Sequence, residues 1–249
     1  MNALFFADLL GVRSKWHKHG RLGAEKAFSR FKELCTSTIE DYDAGSLVDG
    51  GIESDALALK CASAEVAARF GMDFYKRAFL AATEEGDIDQ RFWVRGAIIP
   101  IEEVDPLRTA ESLPAPYAQI QSVTYSGPLL DAISVERSGI KGMRLLIHQE
   151  LISMDLQNAV SVDFHGNRLE TIIQLPYTPN PERIAEEGYQ DLLWMADPAH
   201  WETLRTTMVR RLQWAVKNSE EFAQAAATQV VFHECQESID TASPSSSSR

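Results

Sequence analysis

Apolar and polar positions along this chain repeat with two different periods. Residues 3–10 are apolar except for Asp8, and Gly11 closes the run. That is the pattern of a strand buried on both faces. Ala24, Ala27, Phe28, Phe31, Leu34 and Cys35 then recur at helical spacing, which predicts an amphipathic helix from about residue 20 to 41. Short apolar segments at 45–48 and 56–59 flank Asp49-Gly50-Gly51-Ile52-Glu53-Ser54-Asp55, which reads as the connection of a hairpin. Ser63 is a suitable N-cap for a second helix, whose stripe of Val66, Ala67, Phe70, Phe74, Ala78 and Phe79 extends to about residue 85. Strands are expected at 91–100 and 118–124. Gly127-Pro128 opens a helix through Val135, with proline in the first turn, where its missing N–H costs nothing. A further strand is expected at 143–147.

The order through residue 147 is βαββαβ followed by βαβ. It predicts an α/β (α+β) fold, a ferredoxin-like sheet with its two helices on one face. A hairpin is expected from 159–164 and 169–175, then a helical pattern over 181–237. The serine-rich end, 243–249, has the composition of a disordered tail. The expected division is a domain at 1–175, a helical extension at 176–240 and a tail at 241–249.

Composition narrows the function classes. At about 150 residues per domain, 249 residues make one domain with an appendage. Lys plus Arg is 24 and Asp plus Glu is 36, a formal charge of −12, which argues against sequence-independent binding to nucleic acid or an anionic membrane. The three cysteines, Cys35, Cys61 and Cys235, form no C-x-x-C pair, and an odd number fits a reducing compartment. Asp8 interrupts the N-terminal apolar run and no basic stretch precedes it, unlike a signal peptide. No stretch reaches the ~20 apolar residues of a membrane helix. The expectation is a cytoplasmic protein without membrane insertion.

Two carboxylates stand out. Asp8 sits at the end of an otherwise apolar strand, where an ionised side chain is costly unless something neutralises it. Asp55 follows the Gly50-Gly51 hairpin. In a βαββ order, the first strand and that hairpin are sheet neighbours, so both carboxylates can reach one crevice. Paired aspartates beside a glycine-bearing turn suit two divalent cations clamping a triphosphate; an N-cap at Asp8 and a turn residue at Asp55 are the structural alternative. Gly50-Gly51-Ile52-Glu53 superficially resembles the GGDEF hairpin of diguanylate cyclases, but Ile52 and Ser54 break the motif. His17-Lys18-His19 and His233-Glu234-Cys235 lack a second ligand pair at zinc spacing. Trp194, Trp201 and Trp214 read as core or dimer contacts, and neither Ser54 nor Ser126 has a nucleophile–base signature.

Phe6-Ala7-Asp8-Leu9-Leu10-Gly11 resembles the first-strand motif of the class III nucleotidyl cyclases, a metal-binding aspartate with a glycine three residues on. Ser54-Asp55 resembles the family's second metal aspartate, usually preceded by glycine. Arg95-Gly96-Ala97-Ile98 is similar to its triphosphate-contacting strand. Gly127-Pro128-Leu129-Leu130-Asp131-Ala132 falls where the family has a glycine-led helix that lines the partner subunit's site. The resemblance covers roughly residues 3 to 150. It implies two Mg²⁺ or Mn²⁺ ions held by Asp8, Asp55 and the Leu9 carbonyl, with Arg95 and the backbone near Gly11 on the triphosphate. It also implies a homodimer with active sites at the interface.

The departures are informative. Asp131 and Val135 occupy the places of the usual helix asparagine and transition-state arginine, so that arginine has no counterpart; Arg137 is a nearby candidate. Gly51 and Thr124 replace the residues that read adenine. That disfavours a purine, while Ala132 followed by Val135-Glu136, Arg144 entering the next strand, Ser54-Asp55 and Arg95-Gly96-Ala97 resemble the branch that includes the pyrimidine cyclases of Pycsar antiphage defence. That likeness implies conversion of UTP, or next CTP, to a 3′,5′-cyclic monophosphate and pyrophosphate, a second messenger in antiviral defence. The alternative is a cyclase-fold module that has lost turnover and binds nucleotide for regulation.

Overall fold

The computed structural model describes residues 2–43, 45–81, 93–102, 107–112, 121–136, 141–152, 171–172, 188–215 and 219–242. Its order begins β1 (Asn2–Leu10), α1 (Val12–Glu40), β2 (Leu47–Glu53), β3 (Ala56–Cys61), α2 (Ala64–Ala81) and β4 (Trp93–Ile101). These make the expected βαββαβ unit, with strand order β2-β3-β1-β4 and antiparallel pairing throughout. A second unit follows: β5 (Arg108–Ser112), β6 (Gln121–Tyr125), α3 (Gly127–Glu136), β7 (Leu145–His148) and the single turn α4 (Gln149–Leu151). Then come β8 (Thr171–Ile172), β9 (Tyr189–Leu192), α5 (Trp201–Ala215) and α6 (Ser219–Ala242). β7 joins β4 in parallel, and β9 and β8 complete a seven-stranded sheet.

β1 is central and buried on both faces. Ala3, Phe5, Ala7 and Leu9 point to one side and pack with α1 and α2, where Phe5 meets Phe70 and Phe74 at ring-centroid distances of 5.2 and 5.7 Å. Leu4 and Phe6 point to the other side and pack with Leu129, Ala132 and Val135 of α3. Helices were expected on one face; α1 and α2 do share a face, but α3 covers the opposite one.

Four further expectations are corrected. α1 starts at Val12, not near residue 20; the polar segment before Gly20 hides its apolar period, and Gly20 marks a break with φ 67°. The hairpin connection is shorter than expected, because β2 runs through Glu53 and leaves a two-residue turn at Ser54-Asp55. β6 pairs with β5 in a separate two-stranded ribbon rather than entering the main sheet. Residues 189–192, expected as helix, are strand β9, a four-residue segment of mixed polarity too short for its period to separate strand from helix. The expected strand at 159–164 and the tail at 243–249 lie outside the described residues. Among the described residues, no helix is long and apolar enough to cross a membrane.

The C-terminal elements are bound tightly to the sheet. Trp194 is fully buried against Tyr75 and Phe79, and its Nε1–H donates to the Met143 carbonyl at 3.0 Å. Arg211 of α5 donates to the Ala78 and Phe79 carbonyls at 3.1 and 2.9 Å, satisfying acceptors that the end of α2 leaves open. Its guanidinium lies 4.6 Å from the Phe79 ring centroid and 4.4 Å from that of Trp93. Trp201 stacks on Phe232 of α6 at 4.5 Å. These contacts give Trp194 and Trp201 core roles.

Arg144 and Asp191 form a buried two-pronged ion pair, with Nε to Oδ1 at 2.9 Å. Burial pushes the Asp191 carboxyl up and the guanidinium pulls it back. Glu234 of α6 faces this pair. Burial, opposed by Arg144 and reinforced by Asp191 and Glu237, pushes it up to about 6. A raised carboxyl holds its proton more tightly folded than unfolded, so its contribution is complete below the ordinary glutamate range and is lost as pH rises through about 6. Glu234→Gln is therefore expected to melt with the wild type near about pH 4 and above it near about pH 8. Thermal scans showing the same difference at both pH values would assign the effect to packing instead.

Candidate active site

The face of the sheet beneath α3 is built by strict alternation. β1 presents Leu4, Phe6 and Asp8 there. In register beside them stand Ala56, Ala58 and Lys60 of β3, and Arg95, Ala97 and Ile99 of β4. Beyond β3, β2 adds Asp49, Gly51 and Glu53. Small residues at 51, 56 and 58 leave room above the sheet, and a cavity of about 360 Å³ opens there. Leu107, with Leu129 and Ile133 of α3, completes its apolar wall.

Asp8 and Asp55 both line this cavity, as does Gly51. The turn that carries Asp55 is fastened to β1 directly, because the Leu9 N–H donates to the Asp55 carbonyl at 2.7 Å. That bond holds the Ser54-Asp55 turn beside the end of β1 and gives Leu9 its place in the site; the Leu9 side chain is buried in the core on the other face. Arg95 stands directly across from Asp8 on β4. The two strands run close there. A Cβ on Gly96 would fall 2.0 Å from the Phe6 carbonyl oxygen, so glycine is required next to Arg95. Gly11 links β1 to α1 with φ 81°, a left-handed turn that glycine adopts without strain.

Other expected residues fall elsewhere. Asp131 is exposed on α3, while Leu129 and Ile133, on the helix face turned to the sheet, line the cavity. Thr124 lies in β6, opposite Thr109 in the two-stranded ribbon. Arg137 lies outside the described residues. Ser126 is structural: its Oγ accepts from the Leu129 N–H at 3.3 Å and caps α3.

Asp49 and Glu53 also line the cavity and were not singled out from sequence. The signal was available as period-two alternation at 49, 51 and 53, but reading the segment as a loop hid it. With Asp8 and Asp55 they bring four carboxylates to one cavity, and among the described residues lining it none is basic. Like charges gathered in this way repel each other, and a cation reverses the sign of that interaction. Among the described residues, no three His, Cys, Asp or Glu side chains converge closely enough to hold a metal ion. The polar groups that Asp8 and Asp55 bring to the cavity are carboxylates, with backbone oxygens of the turn beside them. All are hard oxygen donors of the kind Mg²⁺ and Mn²⁺ take, with substrate oxygens and water filling the other positions. The residues fit divalent ions bound together with a phosphate.

No protein-family model matches this chain, and no curated protein does. Among solved structures it is similar to cyclase domains at low identity. The guanylyl cyclase domain of the RhoGC fusion protein from the aquatic fungus Blastocladiella emersonii (an E497/C566D double mutant) has TM-score 0.48 and 10% identity, covering 77% of this chain and 92% of that one. The adenylyl cyclase CyaB from P. aeruginosa has TM-score 0.48 and 12% identity over 77% and 92%. The guanylate cyclase domain of RhGC from Catenaria anguillulae, solved in complex with GTP, has TM-score 0.47 and 11% identity over 77% and 93%.

Ser54 is the one non-glycine residue with positive φ, at 56°, among the described residues. Left-handed backbone costs a side-chain-bearing residue about 1 kcal/mol. Ser54→Gly is expected to relieve that strain and raise Tm by roughly 2–4 °C. A thermal melt showing no rise would mean that the serine side chain makes a compensating contact in the turn.

Proposed function

We propose that this protein is a metal-dependent nucleotidyl cyclase, converting a nucleoside triphosphate to its 3′,5′-cyclic monophosphate with release of pyrophosphate. The observation that carries the reading is the cavity in which the β1 terminus and the β2–β3 turn bring Asp8 and Asp55 together. Asp8, Asp55 and the Leu9 carbonyl would hold the ions, two Mg²⁺ or Mn²⁺ per site. Bound there, such ions activate a hydroxyl as nucleophile and neutralise charge on a phosphate leaving group. Arg95, opposite Asp8, and the backbone near Gly11 hold the triphosphate. Phe6, Ala58, Leu129 and Ile133 form an apolar wall that excludes water and against which a base can pack. Catalysis then depends on position and charge stabilisation without a covalent intermediate.

A pyrimidine substrate, UTP before CTP, is the finer reading. It rests on the resemblance of the motifs to the pyrimidine branch, and on Gly51 and Thr124, which stand in sequence where the purine-reading residues would be and cannot make those contacts. Antiviral signalling through the cyclic product belongs to that same reading. A homodimer would bring the exposed Asp131 and the following Arg137 to the partner's site, with Arg137 the candidate for stabilising the transition state.

Incubating the protein with each of the four triphosphates and Mn²⁺ tests the reaction. Cyclic UMP and pyrophosphate are expected first, cyclic CMP next, with ATP and GTP poor. Turnover of ATP equal to that of UTP overturns the pyrimidine assignment, and binding without turnover of any triphosphate favours a regulatory module. The metal assignment has its own check. Asp8→Asn and Asp55→Asn are expected to fold, to lose the rise in Tm that Mn²⁺ gives the wild type, and to lose several orders of magnitude in activity. An Asp55→Asn variant that melts far below wild type in chelator yet still turns over would make that carboxylate structural.

A further inference from the structure

The segment 142–144, just before β7, has its backbone groups taken up from four directions. The Gly142 N–H donates to Gln224 Oε1 of α6 at 2.6 Å, and the Met143 N–H donates to Thr228 Oγ1 at 2.9 Å. The Met143 carbonyl accepts from Trp194 Nε1–H. The Arg144 carbonyl accepts from the Tyr75 hydroxyl at 2.9 Å and from the Gly96 N–H at 3.1 Å. Met143, Arg144 and Thr228 are all fully buried. Contact with α6 is close enough that a Cβ on Gly142 would lie 2.8 Å from the Thr228 backbone nitrogen.

Gly96 is the residue after Arg95. The path from α6 to Arg95, the strand neighbour of Asp8, is therefore short: Thr228 and Gln224, the 142–144 backbone, the Arg144 carbonyl, then the Gly96 N–H. We propose that Thr228 and Gln224 are positioning residues, through which the C-terminal helix sets the place of Arg95 against the triphosphate. The role rests on the function proposed above. Its physical basis is that a buried N–H left without its acceptor must find another or draw in water. Either response moves Met143 and Arg144, and the 3.1 Å bond to Gly96 carries that movement into β4. Neither residue lines the cavity, so neither touches substrate.

Thr228→Val keeps the shape and removes the acceptor, Thr228→Ser restores it, and Gln224→Ala removes the more peripheral bond. Triphosphate affinity in the presence of Mn²⁺ is expected to fall about tenfold in Thr228→Val. In turnover, KM should rise more than kcat falls, with recovery in Thr228→Ser and a smaller effect in Gln224→Ala. Amide hydrogen exchange gives a readout that a general loss of stability would not mimic. In Thr228→Val the Gly96 N–H is expected to exchange faster, while the Leu9 N–H, bonded to Asp55 on the other side of the sheet centre, keeps its wild-type rate. Equal acceleration at both amides overturns the role, because the effect is then global. Unchanged triphosphate affinity in Thr228→Val, where the wild type binds, overturns it while leaving the proposed function standing. A wild-type protein that binds no triphosphate overturns the function and this role with it.

Discussion

Everything in this fold is arranged around a strand with no free side. β1 is hydrogen-bonded along both edges, to β3 and β4, and covered on both faces. Burying a side chain of the size of Leu4, Phe5, Phe6 or Leu9 contributes roughly 1.5–3 kcal/mol, so several at once outweigh the cost of one carboxylate at the end of the row. Parity does the rest. A slip of one residue would exchange the two faces and drive Asp8 into the packed side beneath α1 and α2. The position of the carboxylate is thus a by-product of core packing.

The C-terminal region belongs to the same mechanical unit. Arg211 supplies donors to the last turn of α2, where positive charge also suits the helix dipole, and its guanidinium is held between two rings. Arg144 and Asp191 tie the approach to β7 to β9. A buried pair of this kind gives little net stability, but removing one partner would strand the other charge in a dry interior. Such a pair specifies which strands lie side by side more than it strengthens them.

Much of this could be read from the chain. The apolar run at 3–10, the two helical stripes and the proline-led helix at 127 each gave one strong period, and the structure has the corresponding elements. Asp8 and Asp55 were legible because a carboxylate in an apolar strand, and another beside a glycine pair, are costly placements that call for a reason. What stayed hidden did so for physical causes. Gly50 and Gly51 look like turn residues, yet they lie within β2; a Cβ on Gly50 would fall 2.4 Å from the Ala58 carbonyl oxygen, so glycine there serves close strand approach. That misreading concealed Asp49 and Glu53. β9 is only four residues long and sits within a stretch whose pattern reads as helical, so its own alternation is too brief to stand out. The bond from Leu9 to Asp55, and those from the Gly142 and Met143 amides to the Gln224 and Thr228 side chains of α6, link residues far apart in sequence through backbone N–H groups, which no side-chain pattern records.

The outer strand of the sheet carries one more consequence. β2 ends the row of described strands, and its register shifts between Leu47 and Asp49, so its outward amides do not form an even ladder. Asp49 places a carboxylate beside that irregularity and accepts from the Gly50 N–H at 2.7 Å. A foreign strand approaching this border would meet a kink, a negative charge and an amide already engaged. The same glycines and acid that shape the cavity therefore also guard the molecule against sheet-to-sheet aggregation, and an attempt to simplify the cavity by regularising β2 would expose a sticky margin.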